Sequence, residues 1–252
     1  MSQLFSTVAG QGRPLVVLHG WGMNQAVWQP VRAQLEARAR VSWLDLPGHG
    51  HSQSMRMGSL DEVVDQLADH IPEDAIVMGW SLGGLVAQAL ARAYPNKVAG
   101  LVLVASTPRF VAGETWAHGL AEQVLTGFAS DLQQDYAATV KRFFALQFMG
   151  VRSDPAAVHA LRDAVMARPA ALQALDDGLE ILRTADFRQH VVQQPCLWLL
   201  GRLDKLIPVS VAAGLSELGY TQVNVLPKAA HVPFVTHPDE FMAAVGRFMD
   251  EC

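Results

Sequence analysis

Cysteine is scarce in this chain, with two in 252 residues: Cys196 inside an apolar run and Cys252 at the last position. Two thiols so placed make neither a disulfide framework nor a metal cluster, which points to a reduced, cytoplasmic protein. Charge is also thin, with 17% Asp, Glu, Lys and Arg and a formal net charge of −5. Such a balance offers no electrostatic footprint for nucleic acid or an anionic membrane, and an acidic partner would need a local basic patch. No stretch approaches the roughly 20 uninterrupted apolar residues of a membrane span. Residues 1–14 lack the basic and apolar blocks of a secretory signal. Internal repeats and low-complexity segments are missing as well. The expectation is a cytoplasmic monomer with no nucleic-acid or membrane partner, no metal and no cofactor.

What is present is apolar: half of the residues, enough for a sizeable core without disulfides or metals. Short β-branched runs alternate with longer helical patterns over the first hundred or so residues, the signature of a mostly parallel sheet with crossover helices. Residues 14–19 (PLVVLH), 41–46 (VSWLDL), 75–80 (AIVMGW) and 98–106 (VAGLVLVAS) read as strands buried on both faces. Between them, 59–70 and 82–94 repeat apolar residues at helical spacing and stop at Pro72 and Pro95. The alternation breaks after Ser106. Helical patterns follow at 114–127, 131–148, 154–167 and 169–184, so residues 107–190 read as a helical lid inserted into an α/β core of 1–106 and 191–252. Strand patterns resume at 195–200 (PCLWLL) and 221–226 (TQVNVL), with a last helix at 238–249.

The chemistry sits at strand ends. Gly79-Trp80-Ser81-Leu82-Gly83 fits G-x-S-x-G between a predicted strand and a predicted helix, the context in which that motif presents a nucleophilic serine on a sharp turn. Helix capping alone would explain a serine at 81. It would not explain glycine on both sides and again at Gly84, where it weakens a helix. A serine hydroxyl needs a base. Of nine histidines, His231 in KAAHVP directly follows the 221–226 run, while His237 precedes Pro238 and Asp239, where capping explains a polar residue. A carboxylate that orients the base is expected after the preceding strand, and GRLDKLIP supplies Asp204. The alternative for Asp204 is a surface ion pair with Arg202 or Lys205. The chain order Ser, Asp, His is that of the α/β-hydrolase fold.

Attack on an ester carbonyl puts charge on its oxygen, and each preorganised N–H aimed there is worth about a hundredfold to a thousandfold. The Leu82 amide is one candidate donor. The Trp21 amide in His19-Gly20-Trp21-Gly22 is the other, although Trp21 also reads as a core aromatic. Residues 45–52 (DLPGHGHS) read as a structural turn that keeps the chain away from the pocket, with no catalytic part for Asp45 or its histidines.

With HGWG, DLPGHGHS, GWSLGG, GRLDKLIP and AAHVPF in sequence, the chain resembles the α/β-hydrolase superfamily over essentially its whole length. More narrowly, it resembles the biotin-synthesis carboxylesterases that hydrolyse pimeloyl-(acyl-carrier protein) methyl ester. The likeness lies in LHGWGMN (18–24), MGWSLGGLVA (78–87), RFFALQFMG (142–150), DDGLEILRTADFRQ (176–189) and KAAHVPFVTHP (228–238). The resemblance implies release of methanol and a pimeloyl-carrier acid. It also implies substrate contacts at Trp21, Ser81, Leu82, Phe143, Phe144, Ala145, Leu146, Gln147 and His231. Phe143, Phe144 and Leu146 suit a slot for a short methylene chain.

That family grips a strongly acidic carrier protein with lid arginines, and some of those positions here are Ala138, Pro155 and His159. Residues 107–190 hold eight Lys/Arg against ten Asp/Glu, so the insertion is not basic on average. Lys141, Arg142, Arg152 and Arg162 are the candidate carrier contacts, with scattered solvated charges as the alternative. Other functions open to the same residues are a broad short-chain carboxylesterase, a carbon–carbon bond hydrolase, and a ligand receptor that kept the fold without turnover. A dehalogenase would carry aspartate at position 81.

Overall fold

The computed structural model describes residues 3–252. Seven strands are formed: β1 (Ser6–Ala9), β2 (Pro14–Leu18), β3 (Arg40–Leu44), β4 (Ala75–Trp80), β5 (Val98–Val104), β6 (Cys196–Gly201) and β7 (Val223–Leu226). They make one sheet in the order β1-β3-β2-β4-β5-β6-β7, with β1 antiparallel to β3 and every other pair parallel. The helices are α1 (Arg32–Glu36), α2 (Leu60–Leu67), α3 (Leu82–Ala93), α4 (Glu122–Gln134), α5 (Tyr136–Leu146), α6 (Pro155–Met166), α7 (Leu172–Thr184), α8 (Val211–Glu217), α9 (Pro233–Thr236) and α10 (Pro238–Glu251). Among the described residues, no helix is long and apolar enough to cross a membrane.

Covering a parallel sheet with helices on both faces demands strands apolar on both sides, and β4 and β6 are buried at every position. Register then fixes the chemistry. Leu18 pairs with Gly79, Trp80 with Val104, Val104 with Leu199 and Gly201 with Leu226. The segments leaving β2, β4, β5, β6 and β7 therefore emerge at one level along the carboxyl edge, where open α/β sheets bind their ligands.

Between β5 and β6, helices α4 to α7 lie across that edge. Each buries one stripe, such as Leu125, Phe128 and Leu132 on α4. Three local expectations are revised. The expected helix at 114–127 is replaced over residues 107–121 by an irregular segment with bridges Val111–Leu120 and Gly113–Trp116, held by Trp116 Nε1 donating to the Arg109 carbonyl at 2.9 Å. Instead α4 runs on past Gly127, and the break falls at Asp135, which caps α5 by accepting from Ala138 N at 3.0 Å. Strand β1 and helix α8 are additions. β1 is a half-exposed edge strand, too weakly apolar to stand out in the sequence.

The approach of α3 to β4 is so close that a Cβ on Gly79 would drive into the Gly83 carbonyl and lie 2.7 Å from the Gly84 Cα. These are backbone atoms that cannot swing aside. Gly79→Ala is expected to lower the unfolding free energy by about 3 kcal/mol in urea titration. Gly127, exposed in mid-helix with nothing within 4 Å of an added Cβ, provides the opposite sign: Gly127→Ala is expected to stabilise by about 0.5–1 kcal/mol.

Candidate active site

Ser81 ends β4 and opens α3 with φ 55° and ψ −117°, a region that L-residues rarely occupy. Its amide donates to Val104 O at 2.9 Å and its carbonyl accepts from Ser106 Oγ at 2.9 Å, so the turn is pinned on both sides by the end of β5 and the segment just after it. The serine side chain makes no capping hydrogen bond, which removes the capping explanation for its presence.

Asp204 and His231 come together. His231 Nδ1 lies 2.8 Å from Asp204 Oδ2, and the two side chains are 1% and 0% exposed. The second carboxylate oxygen accepts from Leu206 N at 2.8 Å and Ile207 N at 3.0 Å. Asp204 therefore has no ion pair with Arg202 or Lys205, whose side chains are exposed. With Nδ1 donating to the carboxylate, a neutral imidazole keeps Nε2 as its acceptor. Among the described residues that nitrogen is buried without a partner, so no hydrogen bond joins it to the Ser81 hydroxyl. Such contacts are commonly long before substrate arrives. His237 instead pairs with the neighbouring Thr236 Oγ1 at 2.9 Å.

Trp80, the variable residue inside G-x-S-x-G, donates from Nε1 to the His231 carbonyl at 2.8 Å and so ties the loop carrying His231 to the strand that ends at Ser81. Motif matching passes over it because any residue satisfies that position. The loop after β2 closes on the same turn: a Cβ on Gly20 would lie 3.3 Å from the Ser81 Cβ and 3.0 Å from the Trp80 ring. Among the described residues, neither the Trp21 nor the Leu82 amide donates to a protein acceptor. The Trp21 ring is buried, edge-on to Phe143 at 4.7 Å, and its Nε1 donates to Leu175 O of α7 at 2.8 Å. A Cβ on Gly178 would stand 2.8 Å from Trp21 Cδ1 and 3.3 Å from Leu82 Cδ2, so α7 rests directly on both candidate donors' side chains.

On α5, helical phase splits the expected substrate stretch. Phe143, Phe144 and Gln147 are buried, Leu146 is half-buried, and Ala145 is exposed on the outer side, which corrects its place among the pocket residues. Both amide atoms of Gln147 are buried without a partner among the described residues. The candidate carrier contacts divide too. Arg142 pairs with Asp131 and Arg162 with Asp163, while Lys141 and Arg152 are exposed without an ion pair among the described residues.

The 45–52 turn does not keep clear of the site. Asp45 accepts from Gln25 N and His51 N, each at 2.8 Å, Gly48 O accepts from Ala171 N at 2.8 Å, and Asn24 Nδ2 donates to Val165 O at 2.9 Å. Together these seat the insertion on the core. His19 Nε2 accepts from Leu46 N at 3.0 Å, and His49 Nε2 accepts from Gly22 N at 3.4 Å, next to the Trp21 amide. Both rings are buried and 5.2 Å apart. Burial pushes His19 down to about 4, against a hydrogen bond to Gly20 O that raises it. Burial, reinforced by His19, pushes His49 down to about 3.

A family model described as alpha/beta hydrolase fold matches residues 13–238. The chain is 45% identical over 236 residues to the pimeloyl-(acyl-carrier protein) methyl ester esterase of Vibrio vulnificus strain CMCP6, covering 92% of each. It is 43% identical over 249 residues to the protein of that name from Vibrio cholerae, covering 97% of each. Among solved structures it is similar to the esterase EaEST from Exiguobacterium antarcticum, with TM-score 0.89, 19% identity and 98% and 95% of the two chains covered. The esterase RhEst1 from Rhodococcus sp. ECU1013 follows the same course with TM-score 0.78, 26% identity and 98% and 94% coverage.

Because His19 and His49 stay neutral in the folded protein down to about pH 4 and 3 while unfolded histidines take up protons near 6.5, stability is complete above that value and falls as pH drops toward 4. The expected slope is up to about 1.4 kcal/mol per pH unit for each ring. Urea titrations across this window are expected to show that slope, and His49→Phe to reduce it by one proton's share.

Proposed function

The chain belongs to the α/β-hydrolase family, and within it to the pimeloyl-(acyl-carrier protein) methyl ester esterases, and from that premise we propose how its carboxyl-edge residues hydrolyse the methyl ester of a carrier-bound pimeloyl chain. The protein is a carboxylic ester hydrolase that yields pimeloyl-carrier protein and methanol, a step of biotin synthesis. The observation that carries the mechanism is the buried Asp204–His231 pair, whose Nε2 has no hydrogen-bond partner among the described residues.

In the proposed sequence, Ser81 Oγ attacks the ester carbonyl as His231 Nε2 takes its proton. Asp204 holds the tautomer and stabilises the imidazolium that forms. The oxygen of the tetrahedral intermediate accepts from the Trp21 and Leu82 amides. The imidazolium returns its proton to the departing methoxide, which leaves as methanol. A water deprotonated by the same histidine then attacks the acyl-serine, and Ser81 recovers its proton as the carboxylic acid departs. Residues 107–190 serve as the lid, with Phe143, Phe144 and Leu146 against the methylenes and Gln147 offering an amide to a polar group of the substrate. The carrier, too large to enter, stays outside with its thioester arm threaded inward. The enzyme works as a monomer.

Ser81→Ala is expected to lower kcat for a pimeloyl methyl ester by about 10⁴-fold or more, and Asp204→Asn by about 10⁴-fold with KM little changed. Steady-state methanol release measures both. Full activity in Ser81→Ala would remove this nucleophile.

A further inference from the structure

We infer that the carrier docks on a cationic rim formed by the loops that hold the acid and the base, built from Arg202, Lys205 and Lys228 with Arg152 facing them from the insertion. The inference rests on the reading that the substrate is presented by an acyl-carrier protein. Its starting point is the fate of the arginines on the insertion's helices, where Lys141 on α5 is an exposed cation without an ion pair among the described residues. Arg142 is paired with Asp131 and lies over the Phe128 ring at 5.4 Å. Arg162 is paired with Asp163 at 2.9 Å, and Arg183 with Glu180 at 2.7 Å. A cation already neutralised by its neighbour offers little to an incoming carboxylate.

Arg202, Lys205 and Lys228 differ. Each is exposed, and among the described residues none has an ion-pair partner. They are neighbours through the backbone: Arg202 N donates to Leu226 O at 3.0 Å and Leu203 N to Ala229 O at 2.9 Å, which lays the loop after β6 against the loop after β7. The insertion reaches the same place. A Cβ on Gly150 would lie 3.9 Å from the Leu203 Cβ, which brings the turn carrying unpaired, exposed Arg152 to this seam. Met149, next to Gly150 and 51% exposed, borders the seam from the insertion.

Uncompensated positive charge bordered by an exposed apolar side chain, on a chain whose net charge is −5, marks a place where an acidic protein is attracted locally and repelled elsewhere. The position suits the chemistry. Asp204 and His231 hang from these same two loops, so a partner seated on the rim stands directly outside the reacting groups. Its carboxylates meet the cations while its acyl arm enters beside them.

The test compares a pimeloyl-carrier methyl ester with a free dimethyl diester of the same acid, in wild type, Arg202→Glu/Lys228→Glu and Arg142→Gln/Arg162→Gln. The rim variant is expected to raise KM for the carrier-bound ester at least tenfold and flatten its salt dependence, with kcat/KM for the free diester within twofold of wild type. The helix variant is expected to change either substrate less than threefold. Equal losses on both substrates would mean that the rim charges serve the catalytic frame, and would overturn the docking surface. So would a loss confined to the helix variant, or no loss in the rim variant. A wild type indifferent to the carrier would overturn the functional reading itself and the docking surface with it, an outcome visible before any variant is made.

Discussion

A carboxylate removed from water must find partners for both oxygens, because an unpaired buried charge costs several kcal/mol. Asp204 meets this demand with two amides of its own loop on one oxygen and the His231 ring on the other. The condition can be met only if β6 and β7 end at the same level, since the acid leaves one and the base the other. Gly201 opposite Leu226 provides that level. A slip of one residue in the register would turn the side chains over and part the pair. Trp80, reaching from the end of β4 to the His231 carbonyl, extends the same dependence to Ser81. The catalytic edge is thus a property of sheet register before it is a property of any side chain.

Much of this was legible in the sequence because parallel strands buried on both faces leave continuous apolar runs, and the reactive residues stand where those runs stop. GWSLGG marks its own turn, and Asp204 and His231 each stand just past a strand. What was not legible depends on contacts without a local signature. Asn24 holds the insertion by a carbonyl 141 residues away, and the Trp21 indole by one 154 residues away. The part played by residues 45–52 escapes for the same reason: Gly48, His49 and Gly50 look like turn residues, and nothing nearby says that the turn abuts both the loop after β2 and the start of α7. The helical pattern at 114–127 does not register that Trp116 and Arg188 donate to the carbonyls of Arg109 and Thr115 in an irregular backbone.

The insertion is also part of the site's frame. Its α7 touches the Trp21 indole and the Leu82 side chain, so in the proposed mechanism the wall of the acyl slot and the two amide donors are held by one another. The buried histidines beneath Trp21 work from the other side, holding Gly22 and Leu46 with ring nitrogens that act as acceptors only while unprotonated. Polar groups sealed under the loop in this way rigidify it, and a rigid donor costs no reorganisation when charge develops.

A serine at φ 55° occupies backbone territory in which glycine would sit with less strain, by roughly 1–3 kcal/mol. Durability and reactivity are therefore opposed at a single Cα. A lineage selected only for heat resistance would gain by discarding this hydroxyl, and its persistence in a folded chain is a record that turnover, rather than robustness, set the choice.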